Sequence, residues 1–238
     1  MRPRVLNLYA GVGGNRAWWP SDAEVTAVEL DPGIAEAYAT LWPQDTVVVG
    51  DAHRFLLDHL TDGWDLVWAS PPCPSHSKLN RFGAGKGRYR YPDLDTLYGE
   101  IILLREFAPQ GMAWLVENVI PYYEPLVAPT TVLGRHYGWS NRWVPPVAAD
   151  ATRPRISRER QSAYKARKRT LSPMEAAEAA DFEEYFGLRL PACADGWGRT
   201  KRRQVMRNCV HPLIGRVVWD AVFTPGAAEQ DTLFDMEP

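Results

Sequence analysis

The chain has 238 residues, 45% of them hydrophobic, enough for one sizeable domain or a domain carrying a small lobe. No apolar run approaches the roughly 18 residues of a membrane span, and the opening MRPRVLNLYAG enters a strand-like stretch at once, so neither a membrane span nor a signal peptide is expected. Three separated cysteines (Cys73, Cys193, Cys209) lack paired ligand spacing, which argues against a disulfide framework or a metal site and for the cytoplasm, and the net charge of −2 alone excludes a uniformly basic protein.

Taken in chain order, residues 5–9 read as a buried strand and 11–14 as a glycine turn, expected to lead into a helix. Residues 24–30 read as a second strand, 32–41 as a helix, 46–50 as a third strand and 52–60 as a helix. A fourth strand spans 65–69; after a long loop, 94–107 is a helix running into a fifth strand at 113–117. Strands alternating with helices predict an α/β fold with a doubly wound, mostly parallel sheet, whose ligands gather beyond the carboxyl ends of the strands. Past Pro121 the pattern weakens: residues 132–144 hold one or two strands, 153–169 a basic segment, 172–185 a capped helix, 214–222 a last helix, and 224–238 a loose tail.

The residues that carry chemistry fall at strand ends. Leu8-Tyr9-Ala10-Gly11-Val12-Gly13-Gly14 lets backbone approach a ligand closely and aims amides at an anionic group. Glu29, ending the second strand, can accept both hydroxyls of a ribose, and Asp51, ending the third and followed by Ala52, can accept an adenine amino group. Together they predict a nucleoside-type cofactor. The fourth strand ends in Ser70-Pro71-Pro72-Cys73-Pro74-Ser75-His76; a cysteine held between prolines at a strand exit suits a displayed nucleophile better than a packing thiol. A protease-like Cys73–His76 pair is disfavoured, because a base three residues along a proline-rigid loop need not face the thiol. Glu117-Asn118-Val119 would put a carboxylate beside Cys73, able to give a proton.

Charge is unevenly spread. Between Pro74 and Pro92, Lys78, Arg81, Lys86, Arg88 and Arg90 meet no acid; between Ala151 and Thr170 a second basic run includes Arg153, Arg155 and Arg158. Such asymmetry on an otherwise acidic chain points to a polyanion-binding cleft.

This order of motifs resembles the cytosine-carbon-5 DNA methyltransferase family over roughly residues 5–222. The resemblance implies S-adenosylmethionine as cofactor, held by Tyr9, Gly11, Gly13, Gly14, Glu29, Asp51, Ala52 and Pro71, with Asn208 in the late Asn208-Cys209-Val210-His211-Pro212 motif. It implies Cys73, presented by Pro72, adding to carbon 6 of a flipped-out cytosine, with Glu117 at ring nitrogen 3, supported by Asn118, and Arg142 as the family's arginine. The glycine- and arginine-rich residues 78–90 would be the loop closing over DNA. Arg169-Thr170-Leu171-Ser172 is similar to the motif that organises the recognition lobe.

The chain departs from the family at Pro74 (usually glutamine), His76 (usually aromatic), Ser140, Val144 and Arg207 (usually glycine). Val144 stands where a second arginine would hold the cytosine carbonyl, leaving that role unassigned. Arg207 suggests a variant in which a carboxylated S-adenosylmethionine donates carboxymethyl. The expected organisation is a catalytic domain at 1–142, a small DNA-recognition lobe at 143–203, a return segment at 204–223 and a tail at 224–238. In the tail, Gln230, Leu233 and Phe234 resemble a peptide that docks on bacterial sliding clamps. The short lobe suits a monomeric, stand-alone modification enzyme of a phage or restriction-modification type. Other readings left open are a non-catalytic DNA-binding relative and an RNA cytosine methyltransferase.

Overall fold

The structure, a computed structural model, describes residues 2–78, 80, 91–149, 151–152, 182–183 and 186–224. Among these residues one sheet is built from β1 (Arg4–Leu8), β2 (Glu24–Glu29), β3 (Thr46–Val49), β4 (Leu66–Ala69), β5 (Ala113–Val119), β6 (Thr131–Leu133) and β7 (His136–Ser140). Its order is β3-β2-β1-β4-β5-β7-β6; β1 to β5 run parallel, and β7 is antiparallel to both its neighbours. The helices are α1 (Pro32–Leu41), α2 (Ala52–His59), α3 (Leu94–Phe107), α4 (Arg199–Asn208) and α5 (Pro212–Phe223). The doubly wound, mostly parallel sheet expected from the alternating pattern is therefore present.

The central strands are unbroken apolar runs because both faces are covered: all four residues of β4, Leu-Val-Trp-Ala, are buried. On one face α2 and α3 bring Leu56, Leu97, Ile101 and Leu104 against Leu6, Leu8, Val67 and Val116. On the other, α5 brings Ile214, Val218 and Trp219 against Val5, Leu66, Trp68 and Leu115. Three helices that follow strands start from an aspartate cap: Asp31 accepts from the amides of Gly33 and Ile34, Asp51 from that of Arg54, and Asp93 from that of Thr96. Each such cap contributes about 1 kcal/mol and fixes where the chain turns back at the carboxyl edge.

Two elements differ from the sequence reading. The glycine turn leads not into a long helix but into a short 3-10 helix, Asn15–Trp18, too short to cover the sheet beside β1. Helix α5, nearly two hundred residues later, fills that place: Trp19 Nε1 donates to the Gly215 carbonyl at 3.0 Å, and a Cβ on Gly215 would run into the Asn15 carbonyl. The second difference is α4, a strongly polar helix running through the expected boundary at 203/204 and packing Val205 with Val12 and Ala37. Val144 and Val147, assigned to the recognition lobe, pack into the sheet core against Leu133. The capped helix expected at 172–185 lies outside the described residues apart from Phe182 and Glu183, as do the basic segment at 153–169 and the tail beyond Thr224.

Candidate active site

The carboxyl edge carries two groups of residues. The first surrounds the glycine turn. Tyr9, Gly11 and Gly13 all take the left-handed conformation, with φ of 56°, 56° and 78°. Two of the glycines are there for closeness: a Cβ on Gly13 would strike the Trp42 and Tyr38 rings, and one on Gly14 would strike the Cys209 sulfur and the Val210 carbonyl. Gly11 faces open space. The late segment at 209–210 thus closes on the glycine turn, whereas Arg207 and Asn208 stand exposed on the last turn of α4.

Glu29 sits at the end of β2 with one oxygen accepting the Gly11 amide at 3.0 Å and the other the Asp31 amide at 2.9 Å. A carboxylate has about four acceptor positions, so this fixes its orientation and leaves capacity for two ligand hydroxyls. Beside it Leu30 is 68% exposed, a large apolar side chain that the sequence reading passed over. Asp51 is exposed at the start of α2 with one oxygen engaged as the cap, and Ala52 is buried behind it. The hydroxyl of Tyr9 donates to Glu100 Oε1 at 2.6 Å, and His53 Nδ1 lies 3.2 Å from the same oxygen. Burial pushes the Glu100 carboxyl up, and burial with the Glu100 charge pushes the Tyr9 hydroxyl far above the tyrosine range, so Tyr9 is a neutral strut under the turn. An open glycine, a pre-oriented carboxylate and an exposed apolar neighbour fit the ribose and adenine of a nucleoside cofactor.

The second group lies one strand over. Residues Ala69 and Val116 are in register, so the chain leaving β4 through Pro71 and Pro72 passes the level of Glu117 on β5. Asn118 Nδ2 donates to the Pro71 carbonyl at 2.9 Å in a buried bond, tying the cysteine loop to β5. After Cys73 the loop closes tightly, the amides of His76 and Ser77 donating to the Cys73 carbonyl at 3.1 and 3.2 Å. Burial pushes the Cys73 thiol up to about 11, the Glu117 charge adding to the rise and Arg135 opposing it. His76 is buried with Nδ1 on the Tyr123 hydroxyl at 2.6 Å, and burial holds its pKa down. Its imidazole is engaged away from a catalytic pairing with Cys73.

One expected catalytic residue is displaced. Arg142 follows β7, and β7 is antiparallel to β5, so its end lies beside the beginning of β5. The Arg142 guanidinium donates to the Gly111 carbonyl at 2.9 Å, and Asn141 bonds Trp114 and Met112 there. That is the amino end of the sheet, opposite Cys73. Residues at the start of β7 reach the catalytic edge instead: His136 pairs with Val119, and its Nδ1 lies 3.9 Å from Glu117 Oε2. Arg135 precedes it, close enough for its charge to act on Cys73. The signal for this was the antiparallel return itself, since a strand running back from the edge has its first residues there. Of the DNA-contact candidates, Lys78 is exposed just beyond the cysteine loop. Arg81, Lys86, Arg88, Arg90, Arg153, Arg155 and Arg158 lie outside the described residues, as do Gln230, Leu233 and Phe234.

Sheet order, glycine turn and pre-oriented Glu29 suit the Rossmann-like methyltransferase class that the family match gives, and S-adenosylmethionine is its cofactor. Residues 3–121, half of the sequence, match the C-5 cytosine-specific DNA methylase family, and the chain belongs to that family. No curated protein sequence matches it. Among solved structures it is similar in fold to the Entamoeba histolytica methyltransferase EhMeth, at 10% identity and a TM-score of 0.54 over 94% of this chain and 98% of that one. A mutant of Spodoptera frugiperda DNMT2 is similar at 14% identity and a TM-score of 0.53, over 93% of this chain and 99% of the other. The SAM-dependent methyltransferase from Agrobacterium tumefaciens matches at 18% identity and a TM-score of 0.37 over 55% of this chain but only 41% of its own.

Proposed function

We propose that the protein methylates carbon 5 of cytosine in double-stranded DNA through a covalent bond between Cys73 Sγ and carbon 6 of a flipped-out base. The observation that carries this reading is the placement of Cys73 and Glu117 on adjacent strand ends, tied together by the buried Asn118–Pro71 hydrogen bond. The family supplies the reaction class, and the two basic runs favour DNA as substrate.

Carbon 5 of cytosine is a weak nucleophile. Addition of the Cys73 thiolate to carbon 6, with a proton placed on ring nitrogen 3 by Glu117, leaves an enamine with electron density at carbon 5. Bound S-adenosylmethionine supplies an electrophilic methyl group. Loss of the carbon 5 proton then breaks the Sγ–carbon 6 bond and restores the ring. Cys73 starts mostly as the neutral thiol, since burial and the Glu117 charge hold its pKa near 11. A proton on Glu117 serves twice: it removes the charge that opposes the thiolate, and it is the proton nitrogen 3 needs. Arg135 takes the place assigned to Arg142, as a cation at the catalytic edge that favours the thiolate and can meet the cytosine carbonyl.

The test is covalent trapping. Duplex DNA in which every cytosine is 5-fluorocytosine removes dependence on the target site, because the fluorine cannot leave as a proton does. With S-adenosylmethionine, the wild type should give a denaturation-resistant adduct that Cys73→Ser does not form. Absence of any adduct sinks the catalytic reading in favour of a DNA-binding relative; methylation of tRNA alone would transfer the reading to RNA. The transferred group in this reading is methyl, and mass analysis of nucleosides after incubation with S-adenosylmethionine or its carboxylated analogue tests the variant built on Arg207.

A further inference from the structure

The catalytic edge holds a second titratable group whose position the covalent mechanism does not explain. Glu117 Oε2 and His136 Nδ1 are both buried without a hydrogen-bond partner, and they face each other at 3.9 Å, with side chains only 6% and 19% exposed. Two buried polar atoms left unpaired each cost about 1–3 kcal/mol, an arrangement that persists where the groups serve a ligand-bound state. The backbone register fixes the approach: Glu117 is opposite Gly138 and Val119 is opposite His136, so the carboxylate and the imidazole lie diagonally on one face of the β5–β7 ladder. Closing the gap to a hydrogen bond needs a side-chain movement of about 1 Å.

We propose that His136 is the positioning residue for Glu117, its Nδ1 holding Oε2 so that Oε1 is the oxygen turned to the cytosine ring, and that the pair carries a single shared proton in the reactive form. The inference rests on the covalent reading given above. As Oε1 gives that proton to ring nitrogen 3, the Oε1–H bond breaks and the nitrogen 3–H bond forms, while the neutral imidazole keeps Nδ1–H donating to Oε2. The carboxyl group becomes a carboxylate steadied by Nδ1–H, and the base gains the positive charge. A carboxyl group that is neutral until that transfer also spares the Cys73 thiolate the repulsion that raises its pKa. Cys73, from the loop after β4, lies within reach of the Glu117 charge, and Arg135, from the turn before β7, lies within reach of Cys73.

Two measurements test it. The first needs no catalysis: the imidazole of His136, assigned among the five histidines by the His136→Asn variant, is titrated by NMR in the free protein. Glu117→Gln should lower its midpoint, because the neutral amide no longer stabilises the imidazolium. A midpoint unchanged by Glu117→Gln would overturn the pairing, whether or not the protein methylates DNA. The second measurement is the pH profile of single-turnover methyl transfer to unmethylated genomic DNA. The shared proton is lost as pH rises, so the wild-type rate falls on the alkaline side. His136→Asn should move that fall to lower pH, since the proton then resides on the carboxyl alone. At pH 6 the asparagine variant should keep a rate well above that of His136→Ala, because its amide can still hold Oε2. A uniform loss in both variants with an unshifted profile would show a merely structural role and overturn the proposal.

Discussion

At the scale of single residues, the most informative is Cys73, because its chemistry is set by burial and by two charged neighbours, one on β5 and one just before β7. Burial raises its pKa most, Glu117 from β5 adds to the rise, and Arg135 before β7 opposes it. The thiolate fraction therefore grows as pH rises toward about 11 and should respond to each neighbour separately. Alkylation of the free enzyme by iodoacetamide, read at Cys73 by peptide mass spectrometry, provides the measurement. Glu117→Gln removes a charge that disfavours the thiolate, so Cys73 should alkylate several-fold faster at pH 8, in the range of about one pK unit or less. Arg135→Ala should slow it in the same assay, and Arg142→Ala should leave it unchanged because Arg142 is bound to Gly111 at the far end of the sheet. If Arg142→Ala slowed alkylation and Arg135→Ala did not, the exchange of roles would be refuted. The proposed nucleophile, its glutamate and the ribose acid were legible in the sequence because each lies at the carboxyl end of a strand, Glu29 ending β2, Glu117 near the end of β5 and Cys73 in the proline loop that leaves β4. The arginine was not, because the distance between Asn118 and the returning strand is not fixed by any local rule.

At the scale of elements, the first five strands and the helices α1 to α3 were legible because an apolar run bounded by a glycine turn or a capping aspartate determines both type and end. Helix α4 was not: Thr-Lys-Arg-Arg-Gln offers no apolar stripe, and its packing reduces largely to Val205 and Met206 against residues scattered along the chain. The partnership of the 3-10 helix with α5 was equally hidden, since it joins residues 15 and 215 through a missing Cβ. That contact can be tested. Gly215→Ala forces a methyl group into the Asn15 carbonyl, backbone that cannot swing away, and should destabilise the fold by about 1–3 kcal/mol in urea denaturation. Gly99→Ala, in the body of α3 with nothing within 4 Å of the added carbon, should instead stabilise it by about 0.5–1 kcal/mol. Equal effects at the two glycines would deny the close approach that lets α5 support the glycine turn.

At the scale of the whole molecule, the difficulty is that a chain of net charge −2 is proposed to bind a polyanion. Its cations must act locally, and the described residues show how charge is divided. Arg16 is spent inside the protein: its guanidinium takes both oxygens of Asp45 at 2.9 and 3.2 Å with both side chains buried. Lys201 is engaged with Asp31 at 2.6 Å, which lowers the Asp31 pKa, and Arg142 caps the amino end of the sheet. The runs at 78–90 and 151–170 carry the cations assigned to phosphate. Binding through n phosphates gives a slope of about −0.9n in log affinity against log salt for B-DNA. Replacing Arg153, Arg155 and Arg158 together by glutamine should therefore flatten the slope by up to about 2.7, and Lys78→Gln by about 0.9, in fluorescence-anisotropy titrations of a labelled duplex. Arg142→Gln should weaken neither binding nor slope, although it too removes one positive charge. If the slope followed net charge alone, all single substitutions would act alike and the localisation of the DNA interface would fail. A flattened slope for the two runs, with Arg142→Gln unchanged, would instead place the phosphates at those runs and not at the amino end of the sheet.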